Sequence, residues 1–140
     1  MKERILREID RLVRQFGTRN PYELADYLDL HLVKRTLPKG IVGVVAEVLE
    51  EKYILLDAAL PDEEARYIVA HEIYHHIDNH PDYFSTQKGY WGNLYERGPD
   101  YFAAGLLIEE EPEWGETIME FSARIGVPLK LVRIWHKDAA

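Results

Sequence analysis

The stretch Ile68-Val69-Ala70-His71-Glu72-Ile73-Tyr74-His75-His76-Ile77 constrains this chain more than any other. It lies in a helical pattern that opens at Pro61-Asp62-Glu63-Glu64, where a proline and three acids suit a first helical turn, and runs to about Asp78. On a helix His71 and His75 project from one face, one turn apart. An unsatisfied imidazole is costly to bury among apolar neighbours, so the fold must supply partners to both rings. Two core histidines bonded to backbone or carboxylates would meet that demand. A single metal ion between them meets it as well, and Glu72 then stands where a carboxylate can take a proton from water that the ion acidifies.

The chain has no cysteine, which excludes thiolate ligands, disulfides and a thiol nucleophile. A catalytic zinc needs a third protein ligand beside the two histidines. The extended pattern H-E-x-x-H-x-x-G-x-x-H fails, because Asp78 stands where it needs glycine and Pro81 where it needs histidine. His80 faces away from His71 unless the chain doubles back. Glu96, a carboxylate a loop-length after the first helix, is the strongest candidate. Asp100 follows it by one turn and is placed to accept the free ring N–H of a ligand histidine. Between them Gly98-Pro99 interrupts the pattern, and the proline is expected to mark a helix start or a kink.

The rest of the sequence supplies the frame. Ile5, Ile9, Leu12 and Phe16 form one stripe of a helix over residues 2–16. Asn20-Pro21 caps and opens a short helix to about Tyr27. His31–Leu37, Ile41–Leu49 and Lys52–Ala58 read as strands, with turns at Pro38-Lys39-Gly40 and Glu50-Glu51. Residues 80–92 read as an ordered loop. Helices are expected again at Leu94–Ile108, Glu116–Ile125 and Pro128–Lys137. These elements predict an α+β fold, a small and mainly antiparallel sheet packed on the histidine-bearing helix and on further helices. One domain, 1–140, is expected, with 113–140 as a helix-turn-helix-like tail.

At this point the residues reach a family. Arg66-Tyr67-Ile68-Val69-Ala70-His71-Glu72-Ile73-Tyr74-His75-His76, followed by Glu96-x-x-x-Asp100-x-Phe102-Ala103-Ala104-Gly105-Leu106-Leu107, resembles the paired motifs of the ImmA/IrrE family of zinc metallopeptidases. The resemblance implies a zincin-like (gluzincin-like) fold, one zinc per chain on His71, His75 and Glu96, and Glu72 as catalytic base. It also implies substrates that are often repressors or other regulators. The chain departs from the family pattern at Tyr74, commonly glycine, at Pro99, usually alanine, and at Ile108-Glu109, usually Met-Pro.

The activity expected is that of a zinc-dependent endopeptidase of regulatory type. Its substrate would be a helix-turn-helix repressor or similar regulator, met in the cytoplasm. The alternative is a metal-stabilised module that binds such a regulator without cutting it. Nothing in the N-terminal residues resembles a secretory signal, and no run is long and apolar enough to cross a membrane. With 25 acids against 17 bases the net charge is −8, which disfavours direct binding to nucleic acid. The strand 52–58 is expected to be the edge that receives an extended peptide. Docking of a partner is expected at the tail, where Lys130, Arg133 and Lys137 would line an outer helix face, or along Arg4, Arg7, Arg11 and Arg14. That second stripe has acids at pairing distance, as in any solvated helix face. Tyr90, Trp91, Tyr95 and Tyr101 cluster near Glu96, and one of these tyrosines or His76 is a candidate to stabilise an oxyanion.

Overall fold

Ile5, Ile9 and Leu12 are at most 2% exposed, and their helical spacing makes Lys2–Phe16 the first helix, α1. A computed structural model of the chain describes residues 2–78, 83–87 and 94–139, without the side chains of 83–85, 87, 94–96 and 137–139. The candidate ligand His80 and the aromatic residues Tyr90 and Trp91 lie outside the described residues, as does the side chain of Tyr95. Helix α2, Pro21–Tyr27, opens as the sequence predicts, with the Asn20 side chain accepting from the N–H groups of Tyr22 and Glu23. Three strands follow, β1 (Leu30–Arg35), β2 (Ile41–Val48) and β3 (Glu51–Asp57), then helix α3 (Asp62–Ile77) and strand β4 (Tyr83–Gln87). Helices α4 (Leu94–Leu107), α5 (Ile118–Ile125) and α6 (Leu129–Ala139) complete the α+β fold.

The four strands form one sheet in the order β1-β3-β2-β4. Only the β1–β3 pair is parallel, so the sheet is mainly antiparallel. This order corrects the edge expected at 52–58: β3 lies inside the sheet, and the edges are β1 and β4. Tyr53-Ile54-Leu55-Leu56 is an unbroken apolar run, the pattern of a strand flanked on both sides. β1, by contrast, exposes His31, Lys34 and Arg35, the polar decoration that suits an edge. The bend at Pro38 is present, with the Ile41 N–H donating to the Pro38 carbonyl, but β3 separates the two strands it joins. The β2–β3 hairpin turns at Leu49-Glu50, one residue earlier than expected. Both have positive φ (51° and 67°), as a two-residue loop of the mirror-image type requires. Residues 83–87, expected within a loop, form β4; aromatic residues, serine and threonine are at ease in a strand.

Helix α3 packs between the sheet and α4, which in turn meets α1 and α6. Val45, Ile54 and Leu56 from the sheet join Ile68, Val69 and Ile73 from α3 and Phe102 and Leu106 from α4 in one buried cluster. Phe121, Val127, Leu131 and Val132 of the tail, all at most 1% exposed, belong to the same cluster. A capping box of Thr117 and Glu120 opens α5, and the Ser122 hydroxyl donates to the Val127 carbonyl across the turn to α6. Lys130 does not stand on an outer face as expected, since its ammonium lies 4.5 Å from the Tyr67 ring centre; Arg133 is exposed. On α1, Arg11 pairs with Glu8 and Arg14 with Asp10, the i,i+3 and i,i+4 geometry of a solvated face. Among the described residues no helix is long and apolar enough to cross a membrane.

Candidate metal centre

His71 and His75 come from successive turns of α3, and Glu72 lies between them. All three are buried, at 1%, 1% and 0% exposure, and each can offer a ligand atom within 4.8 Å of the other two. The Glu72 Oε1 atom is 3.6 Å from the His71 Nε2 and 3.9 Å from the His75 Nε2. The imidazole rings stand edge to face with centroids 5.1 Å apart.

The opposite side of His71 is held by α4. Its Nδ1 is 2.8 Å from the Asp100 Oδ1, so the ring donates the Nδ1 proton to the carboxylate. That bond fixes the tautomer and leaves the lone pair on Nε2, the nitrogen on the Glu72 side. The same Asp100 oxygen accepts from the Tyr67 hydroxyl at 2.7 Å. Asp100 thus accepts from both His71 and Tyr67.

Glu96 lies in the first turn of α4, four residues before Asp100, and its side chain is outside the described residues. The helix starts at Leu94, ahead of Pro99, so the proline marks neither its start nor its end. Gly98 has a steric reason: a Cβ there would lie 2.9 Å from the Tyr74 ring. The bulky residue at 74 and the bare backbone at 98 thus compensate one another. Tyr74 also stacks at a tilt on Phe102, 5.2 Å between centroids. Burial first, and then the nearby Asp78, push the Tyr74 phenol above its ordinary pKa.

Two residues that the sequence does not single out complete the surroundings of Glu72. Thr86 of β4, 4% exposed, donates its hydroxyl to Glu72 Oε1 at 2.8 Å. Gly43 of β2 leaves room for the carboxylate: an added Cβ would sit 2.9 Å from Glu72 Oε2 and 2.8 Å from the Ile68 Cγ2. The sequence signal for Gly43 is a glycine inside the β-branched run Ile41-Val42-Gly43-Val44-Val45, which marks a bulge or a close approach. The register does shift there, between Ile41 and Gly43. Thr86 carries no comparable signal, because only the pairing of β4 on β2 brings it to α3.

Of the oxyanion candidates, His76 is turned to the sheet, its Nε2 donating to the Tyr53 carbonyl at 2.9 Å. Desolvation lowers its pKa, and that carbonyl partly opposes the shift. Tyr101 is half-buried against the core.

The chain is 26% identical over 137 residues to "Uncharacterized immunity region protein 2" of Bacillus phage phi105, covering 90% of this chain and 85% of that protein. No family model matches the chain.

Proposed function

We propose that this protein is a zinc-dependent endopeptidase of regulatory type, with one zinc per chain on His71, His75 and Glu96 and with Glu72 as its general base. One observation carries the reading: the Asp100 bond to Nδ1 of His71 turns the other ring nitrogen toward the buried space that Glu72 and His75 share. Two imidazoles and a carboxylate are a donor set that suits zinc, and the burial of His71, Glu72 and His75 sets this cluster apart from a surface ion pair. Glu96 is supported by its place one turn before Asp100 on the helix that packs on α3, together with the family resemblance. Zinc there supplies Lewis acidity, polarising the scissile carbonyl and acidifying water.

The chain's own groups do the proton work. Glu72 accepts a proton as the water oxygen bonds to the carbonyl carbon, and returns it to the amine nitrogen as the C–N bond breaks. Thr86 holds one oxygen of that carboxylate and so sets its rotation. Asp100 and Tyr67 hold the His71 ring. An extended substrate pairs with β4, the sheet edge that carries Thr86, in place of the interior strand β3.

The phage relative is named for an immunity region, which supports a regulatory target such as a helix-turn-helix repressor, met in the cytoplasm. The test is incubation of the zinc-loaded protein with a helix-turn-helix repressor of the same genome, starting with any encoded beside it, and, separately, with an unfolded general substrate. Cleavage of the repressor by wild type and not by Glu72→Gln, with zinc retained in both, supports the proposal. Equal relief of repression by both forms with no cleavage would replace it by a regulator-binding module.

A further inference from the structure

Trp114 is fully exposed, at 102% of its reference area, and yet it is held in a built turn. Trp114 and Gly115 are its central residues: the Glu116 N–H donates to the Glu113 carbonyl at 3.0 Å, and Gly115 takes the positive φ of 81° that a type II turn needs. The Glu116 carboxylate accepts from the Glu113 N–H at 2.9 Å and receives both Nε and Nη2 of Arg124, at 2.7 and 2.9 Å. Arg124 also reaches Glu110 at 2.5 Å. The turn is thus clamped to α5 from two sides with the indole outside the clamp. Ile118 and Met119, the first two residues of α5, are 39% and 67% exposed.

A fully exposed indole held in an ordered turn leaves a large apolar side chain in water, and aromatic anchors of this kind dominate protein interfaces. The charge around it says what kind of partner fits. Glu110, Glu113 and Glu116 share the single guanidinium of Arg124, and Glu111 is exposed beside them. Copies of a chain with net charge −8 repel one another, as would a nucleic acid.

We infer that the Trp114 turn is a docking knob for a cationic partner protein, one that presents an apolar strip bordered by lysine or arginine, as on a basic amphipathic helix. Trp114 enters the strip and the surrounding carboxylates meet the bases at its rim. This surface is separate from the metal centre and does not depend on its chemistry.

Fluorine NMR of the full chain labelled with fluorotryptophan tests it, with Trp114→Phe assigning the resonance. The probe is a lysine–leucine peptide patterned as an amphipathic helix, and its glutamate–leucine counterpart is the control. The cationic peptide should move the Trp114 resonance saturably, and Trp114→Ala should bind it about tenfold more weakly or worse at an unchanged melting temperature. The Glu111→Gln/Glu113→Gln double variant should also bind more weakly, most visibly at low salt. A Trp114 resonance that stays still, equal binding by Trp114→Ala, or equal binding of the acidic peptide would overturn the proposal. A shift that follows the protein's own concentration would assign the knob to a second copy instead.

Discussion

Glu72 is the residue around which the rest is arranged, and it is carried by groups from three elements. A buried carboxylate beside two imidazoles keeps its place only if its walls fit, and Gly43 is one wall. Gly43→Ala drives a methyl into the carboxylate and the Ile68 methyl at under 3 Å. The expected cost is about 1–3 kcal/mol of stability from overpacking, read by denaturant unfolding. On the peptidase reading, cleavage should fall in the same variant while zinc is retained, because the carboxylate that must move is the base and not a ligand; a fully stable variant with unchanged cleavage would show that the glycine is incidental. Asp100 acts at one remove, through His71. On the zinc reading, Asp100→Ala frees the ring to rotate and lowers zinc affinity about 10–100-fold, measured by competition with a chelating dye. Asp100→Asn keeps an oxygen that accepts the Nδ1 proton and should lie between wild type and alanine. Equal affinity across the series would remove Asp100 from the site.

At the scale of elements, what the sequence reveals depends on whether the signal is local. The Asn20 cap, the acidic first turn of α3 and the apolar stripe of α1 are local, and the helices they announce are present. The α+β fold follows from that count of elements. Strand order is not local. Nothing between Pro38 and Gly40 says that β3 comes between β1 and β2, although the continuous apolar run of β3 hints at an interior strand. The same limit explains the site: His71, Glu72 and His75 share a helix and are legible by spacing, whereas Thr86 reaches Glu72 only after the sheet has assembled. Tyr67 is legible in hindsight, four residues before His71 and so on the same helix face. The loop-to-α5 clamp is likewise tertiary and makes a prediction of its own. The Arg124 guanidinium, and then the Glu113 N–H, hold the Glu116 carboxyl at about 2, below its ordinary 4.5. Its pKa is lower folded than unfolded, so its contribution is whole above about pH 4.5 and is lost as pH falls toward 2. Arg124→Gln should therefore lose less stability than wild type over that acid interval, in parallel urea titrations. Identical pH dependence of the two would mean the clamp carries no linkage.

Taken as a whole, the molecule separates what holds it together from what the centre is proposed to do. The buried cluster runs from α1 through the sheet and α3 to α6, and its apolar members owe nothing to an ion. A zinc finger collapses without metal because it has no such core; this chain should not. Zinc on the proposed ligands still stabilises by mass action, since it binds the folded site and has little affinity for a chain whose ligands are dispersed. At a free zinc concentration a thousandfold above Kd that amounts to about 4 kcal/mol, or a rise of about 10 °C in melting temperature for a domain of this size. Chelation should therefore lower the melting temperature while the far-ultraviolet circular dichroism of the helices remains. One equivalent of zinc should restore it in wild type and in Glu72→Gln, but not in Glu96→Ala. Loss of helical signal on chelation would make the metal a condition of folding, and a melting temperature indifferent to zinc would remove the ion from the site.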